Sequence, residues 1–142
     1  MVGYDKRCTS SDEVPQFKPM DASEKRSLSE RDICTKFITP ALEQSGWDVL
    51  TQVREEVTFT DARLIVKGKS ISRGPKKRAD YVLYFKPGLP LAVVEAKDNR
   101  QSCSAGMQQA LSYVHEDCLD VPFAISSNGD GFVIHDRTGT FP

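Results

Sequence analysis

The stretch RGPKKRADYVLYFKPGLPLAVVEAKD, residues 73–98, decides how the chain folds. It begins with a basic run, passes through an aspartate into an apolar segment, turns near Pro87-Gly88, and ends in a second apolar segment closed by Glu95-Ala96-Lys97. Residues 81–85 and 91–96 are rich in β-branched and aromatic side chains, the composition of strands. Pro87, Gly88 and Pro90 between them predict a turn, and therefore a hairpin. An apolar strand gains no stability by ending in Glu95 and Lys97, which period-2 geometry points the same way. If Tyr84 opposes Leu91, then Val82 opposes Val93 and Asp80 opposes Glu95, because antiparallel partners keep a constant sum. Facing residues share a sheet face with Cβ atoms about 5 Å apart. Asp80 and Glu95 would then converge, with Lys97 opposite Arg78. A one-residue slip would send the carboxylates to opposite faces, unless a bulge restored the parity.

Two adjoining carboxylates repel, and one pKa rises. A divalent cation removes that cost. Oxygen ligands without Cys or His predict Mg²⁺, with Mn²⁺ as the alternative, rather than zinc. Such a cation polarises a phosphate oxygen and acidifies water, and Lys97 would add positive charge where the transition state gains negative charge. Phosphodiester hydrolysis fits this equipment. Arg73, Lys76, Lys77 and Arg78, a run without an acid, would hold flanking backbone phosphates, contacts that orient a nucleic acid, DNA or RNA, without reading its sequence. Charged residues at strand ends are also commonly solvated edges or ion pairs, and the spacing alone does not choose between these readings.

Working outward, Ser27 followed by Glu30 fits a capping box, and Ser29 followed by Asp32 fits one equally well. In the segment that follows, Ile33, Phe37, Ile38, Ala41 and Leu42 form one apolar stripe, a half-buried helix ending at Gly46. Pro40 lies inside that pattern, so the helix kinks or two short helices meet. Glu30 precedes Ile33 and Cys34 by one turn and projects towards the buried side, as a helix cap or as part of a site. Residues 47–50, 53–59 and 63–66 are strand candidates, and residues 67–78 read as a Gly/Lys/Ser/Arg loop. Downstream, a helix over about residues 104–116 carries Met107, Ala110, Leu111, Val114 and Cys118 on its apolar face. Gln109 and Tyr113, four apart, would form a polar pair on that helix, able to steady a nucleotide or Lys97 by hydrogen bonds. Residues 121–126 and 132–135 predict a final strand pair around the turn Ser127-Asn128-Gly129-Asp130-Gly131. The order helix, strands, helix, strands predicts an α/β fold with a mixed central sheet.

The 142 residues suffice for one domain with its own core. A net charge of -1 excludes wholesale coating of nucleic acid but leaves room for a local basic patch. The four cysteines, Cys8, Cys34, Cys103 and Cys118, with His115 and His135, show neither zinc spacing nor a disulfide framework. With no membrane-length apolar run and no signal peptide, the expected location is the cytoplasm. Residues 1–26, polar and without periodicity, read as a flexible arm ahead of a domain over 27–142.

GPKKRADYVLYF, then PLAVVEAK, then QALSY, taken in order, resemble the PD-(D/E)xK nuclease superfamily, most of all the amino-terminal nuclease domain of type I restriction enzyme R (motor) subunits. ITPALEQSGW before the sheet and SSNGDGF after the helix also look like segments of that family, so the resemblance runs over about residues 28–136. Ala79 stands where the superfamily's name has proline, a position that carries no ligand. The resemblance implies a restriction-endonuclease-like fold, a mixed central β-sheet flanked by helices. It implies an Mg²⁺-dependent DNA endonuclease in which Asp80, Glu95, Lys97, Gln109 and Tyr113 are catalytic. Glu30, Asp80, Glu95 and the Ala96 carbonyl would hold metal. It also implies double-stranded DNA as substrate, a complex with modification and specificity subunits, and ATP use by a motor region. No G-x-x-x-x-G-K-[ST] loop occurs in this chain, which reads as an amino-terminal fragment closing near Gly139-Thr140-Phe141-Pro142. A freestanding or repair-type nuclease of the same fold, or a DNA-binding or assembly module with an idle acidic site, are the alternatives.

Overall fold

A computed structural model of the chain describes residues 18–60, 64–67, 70–73, 76–116 and 118–139, the second and third ranges by backbone alone. Sequence expectations that fall on residues 1–17, Arg63, Pro75 and 140–142 lie outside the described residues. In chain order the elements are α1 (Ala22–Arg26), α2 (Glu30–Ile33), a π-helical turn (Cys34–Ile38), α3 (Thr39–Gln44), β1 (Val53–Thr60), β2 (Leu64–Lys67), β3 (Ser70–Arg73), β4 (Lys76–Lys86), β5 (Leu89–Ala96), α4 (Met107–Leu111), β6 (Phe123–Ser127) and β7 (Phe132–Asp136).

The hairpin that the sequence predicts is β4–β5. Gly88 at φ +78 supplies the left-handed residue its tight turn needs. Tyr81 pairs with Val94, Val82 with Val93 and Leu83 with Ala92, the expected constant-sum register. Tyr84 then pairs with Pro90 rather than Leu91, across a register shift. Pro90 has no N–H to give a regular ladder, so an irregularity there is the natural outlet. The register is therefore regular on the side of the strands that leads to Asp80 and Glu95.

Five strands form one sheet in the order β1-β4-β5-β6-β7. The β5–β6 pair is parallel and the others are antiparallel, so the sheet is mixed. Helices cover both faces. On one, Ile33, Ile38 and Leu42 pack on Tyr81, Leu83 and Val94. On the other, Ala110, Tyr113 and Val114 pack on Val82, Val93 and Ala124. Each large aliphatic side chain removed from water in this way contributes about 1.5–3 kcal/mol. This is the expected α/β architecture.

Local details differ where tertiary pairing or backbone chemistry overrides composition. Within the segment read as an arm, Ala22–Arg26 is a helix with an Asp21–Glu24 capping box. Lys25 ties it to the Gly129 carbonyl and the Asp130 carboxylate and lies over the Phe37 ring. The capping box ahead of α2 is Ser29–Asp32, not Ser27–Glu30. Pro40 sits at the start of α3, and the preceding π turn absorbs the hydrogen bond it cannot make. Residues 47–50 form a turn, not a strand, because Asp48 accepts from the Leu50 amide and the Thr51 hydroxyl. Within the expected loop over 67–78 the described residues are extended, since β3 pairs with β2 and Lys76 already pairs with Thr60. Helix α4 is shorter than its apolar stripe. After Leu111 the chain tightens into i→i+3 bonds, Tyr113 N–H to Ala110 and Val114 N–H to Leu111.

Candidate active site

Regular alternation would put Ala79 and Tyr81 on one face of β4. They belong to opposite cores, Ala79 with α4 and Tyr81 with α2 and α3. The sheet turns over between them, at Asp80. In the β1–β4 ladder the residue opposite Asp80 is Glu56, where the pairing skips and, alone among the described strand residues other than glycine, φ is positive at +51. A side-chain-bearing residue held there costs on the order of 1–3 kcal/mol. Asp80 thus stands where the two strands part.

One step outward from the Tyr81–Val94 pair, Asp80 meets the end of β5 through its side chain. The Ala96 amide donates to Asp80 Oδ2 at 2.8 Å, a carboxylate taking the place of a ladder carbonyl. Glu95, on the α4 side, is 3% exposed, and among the described residues its Oε2 has no hydrogen-bond partner. Burial, and then the charge of Asp80, push the Glu95 carboxyl up to about 8, against opposing help from the Asp80 amide and Lys97. Helix α4 makes that burial by coming very close. A Cβ on Gly106 would lie 2.9 Å from Ser126 Oγ and 3.3 Å from the Glu95 side chain, and the Gly106 amide donates to Ser126 Oγ at 3.0 Å.

Lys97 Nζ donates to Gln109 Oε1 at 3.2 Å, and Gln109 Nε2 donates to the Tyr113 hydroxyl at 2.8 Å. Glu30 Oε1 lies 3.9 Å from Lys97 Nζ. Gln109 and Tyr113 therefore form one chain of bonds behind the lysine, although Tyr113 sits in the turn after α4 rather than on the helix. Burial raises the Tyr113 hydroxyl, helped by the charges of Glu95 and Asp80, which keeps it a hydrogen-bonding phenol. The structure thus brings Asp80, Glu95, Ala96, Lys97, Gln109, Tyr113 and Glu30 to one end of the β4–β5 hairpin.

The basic run is less unified than its sequence. Because it is strand rather than loop, its side chains alternate. Lys76 and Arg78 are exposed, whereas Lys77 turns inward and donates to the Ser112 carbonyl at 3.3 Å, so it anchors the end of α4. Arg73 falls in β3, whose side chains lie outside the described residues. Two residues that the sequence did not single out also reach the site. Arg31 and Glu56 pair at 3.3 Å and line, with Glu30, Arg78 and Asp80, a cleft of about 150 Å³. Their only sequence signal is Arg31 adjoining Glu30, since Glu56 is placed by strand register alone.

A larger groove of about 760 Å³ lies between α3 and strands β5–β7, walled by Leu42, Trp47, Phe123 and Phe132. It contains none of these residues, and its apolar lining offers nothing to a phosphodiester. Among the described residues no group of three or more His, Cys, Asp or Glu is placed to hold a metal ion. A site built here would rest on the Asp80–Glu95 pair, with Glu30 reached through Lys97. The unpartnered, buried Glu95 Oε2 beside a second carboxylate is the donor chemistry that a hard divalent cation satisfies. Among the described residues no helix is long and apolar enough to cross a membrane. Cys34 and Cys103 are free thiols.

The family described as type I restriction enzyme R protein N terminus matches residues 64–142. The type I restriction enzyme EcoAI endonuclease subunit of Escherichia coli is 50% identical over 112 residues, which are 79% of this chain and 14% of that subunit. A solved fragment, described as a candidate HsdR subunit of a type I restriction enzyme from Vibrio vulnificus YJ016, superposes with a TM-score of 0.63 at 42% identity. That likeness covers 78% of this chain and 21% of the Vibrio chain. The chain thus spans a small part of the proteins it resembles, and it belongs to the family of type I restriction enzyme R protein amino-terminal domains.

Proposed function

We propose that this domain is the DNA-cleaving centre of a type I restriction enzyme, hydrolysing phosphodiester bonds of double-stranded DNA with Mg²⁺, or Mn²⁺ in its place. The observation that carries the reading is the lysine. Lys97, its side chain 19% exposed, is held by Gln109 and Glu30 beside the buried carboxylate of Glu95. An ordinary solvated strand end has no use for such a chain of supports.

Asp80, Glu95 and the Ala96 carbonyl would hold the cation, with Glu30 joining directly or through water. The cation, when bound, supplies positive charge that polarises a phosphate oxygen and acidifies water. A donor set of two side chains suits Mg²⁺, which commonly takes one or two carboxylates and completes its shell with water and substrate phosphate. Lys97 directs its ammonium at the phosphate that gains charge as the bond breaks. Gln109 and Tyr113 hold it there, which removes the entropy of searching from the reaction step. Burial under α4 keeps bulk water from screening these charges. Exposed Lys76 and Arg78 support a backbone phosphate role, which brings affinity without sequence preference. Target choice and ATP-driven DNA delivery would then belong to specificity and modification subunits and to a motor region.

The test uses the full restriction assembly. Asp80→Asn and Lys97→Ala should each abolish double-strand cleavage while ATP hydrolysis and assembly persist. Retained cleavage in either variant rejects the mechanism. The rival reading, an idle module, draws on the raised Glu95 carboxyl, which a site without cation keeps protonated. Calorimetric titration of the chain with Mn²⁺ separates the two, since an idle site would show no binding that Glu95→Gln removes.

A further inference from the structure

We infer that Arg31 and Arg78 form a binding site for a DNA backbone phosphate next to the one being cut, and that Glu56 occupies Arg31 until DNA arrives. The inference rests on the DNA-cleaving reading above and adds two residues to it. The cleft between α2 and β4 is bounded by Arg31, Arg78 and Glu56 and has Asp80 and Glu30 in its wall. It therefore opens onto the end of the hairpin where Asp80 meets Ala96. A strand laid across Asp80 with its reacting phosphate at Lys97 carries further phosphates on either side, and the cleft lies in the path of one of them.

The two arginines approach that cleft from different elements, Arg31 from α2 and Arg78 from β4. Guanidinium groups bind phosphate oxygens through paired, charge-assisted hydrogen bonds, with a geometric match that lysine lacks. Arg31 is not idle. It pairs with Glu56 at 3.3 Å, with the side chains 60% and 49% exposed. An exposed ion pair contributes little net stability, whereas a phosphate offers the same guanidinium a more complete partner. Glu56 is therefore a displaceable stand-in for phosphate. Its placement is not accidental to the fold, because the left-handed backbone at Glu56 interrupts the ladder opposite Asp80. One backbone irregularity thus releases Asp80 for the site and puts Glu56 on the rim of the cleft.

The test measures binding of a short duplex by fluorescence anisotropy, using the full chain with Ca²⁺ in place of Mg²⁺ and a series of salt concentrations. Arg31→Ala should weaken binding about tenfold at low salt and reduce the slope of log K against log salt by about one, the signature of one lost phosphate contact. Arg31→Lys should keep the slope and recover part of the affinity. Glu56→Gln should tighten binding several-fold, a gain that misfolding cannot produce. Unchanged binding in Arg31→Ala and Glu56→Gln, with the parent binding normally, overturns the phosphate site and leaves the cleavage reading standing. A parent chain that binds no duplex at any salt overturns both. A loss in Arg31→Ala that Arg31→Lys does not relieve, with no gain in Glu56→Gln, assigns Arg31 to structure alone and also overturns the inference.

Discussion

Glu95 offers the most direct physical test of the site, because its burial can be read as stability. An ordinary carboxyl of its kind titrates near 4.5, and here burial and the Asp80 charge push it up to about 8. The sign follows from linkage. The folded state holds a proton that the unfolded chain gives up, so the domain is most stable below the unfolded value and loses stability as pH rises towards the folded one. Each pH unit between the two values costs about 1.4 kcal/mol. The penalty is therefore about 3 kcal/mol at pH 7, and it grows by about 3 kcal/mol between pH 5.5 and 8.5. Glu95→Gln keeps the shape and removes the charge. In urea denaturation with chelator present, the parent should lose stability across that window while the variant stays nearly level. The variant should then be the more stable protein at pH 8.5. Adding Mn²⁺ should restore the parent but not the variant, since a ligand that binds only the folded state stabilises it by mass action. Equal pH profiles, or a variant weaker than the parent at pH 8.5, would refute the reasoning.

Other consequences can be checked in the same preparations. Gly106→Ala forces a methyl group to within 2.9 Å of Ser126 Oγ and 3.3 Å of the Glu95 side chain, so the buried Ser126 hydroxyl must turn away and lose its bond from the Gly106 amide, or α4 must shift. Overpacking of this kind typically costs about 1–3 kcal/mol, read as a lower thermal midpoint, and an unchanged midpoint would show that α4 is not seated as described. Burial pushes the Cys34 thiol up to about 11. At pH 8 it should therefore react with iodoacetamide far more slowly than a small-molecule thiol of ordinary pKa in a mass-spectrometric time course, and rapid labelling of Cys34 would contradict its placement against Tyr81.

Much of this was legible in residues 73–98. Alternating burial needs apolar side chains at fixed spacing, so residues 81–85 and 91–96 announced two strands, and the constant-sum rule placed Val82 opposite Val93 as found. The apolar stripe of Ile33, Ile38 and Leu42 and the turn at Ser127–Gly131 were similarly plain, because local spacing and backbone chemistry are enough to produce them. The slip at Tyr84, the extended conformation of the basic run and the short α4 were not. Each depends on which strand or helix lies alongside, and a strand's neighbours are chosen at long range. Lys77 illustrates the point: in sequence it is one of a row of cations, but pairing with Phe59 in β1 fixes its parity and turns it towards Ser112.

The site divides along the same line. Residue types and order in the sequence marked Asp80, Glu95, Lys97, Gln109 and Tyr113 as candidates, and it was the ordered set of surrounding segments, not the spacing alone, that set them above ordinary solvated strand ends. Only the tertiary structure decided that Glu95 is buried under Gly106, that Gln109 reaches Lys97, and that the sheet turns over at Asp80 with Glu56 opposite. The physical reason is range. Hydrophobic periodicity and turn chemistry act over a few residues, whereas burial, charge coupling and the Arg31–Glu56 pair arise where segments distant in sequence are pressed together by the two cores.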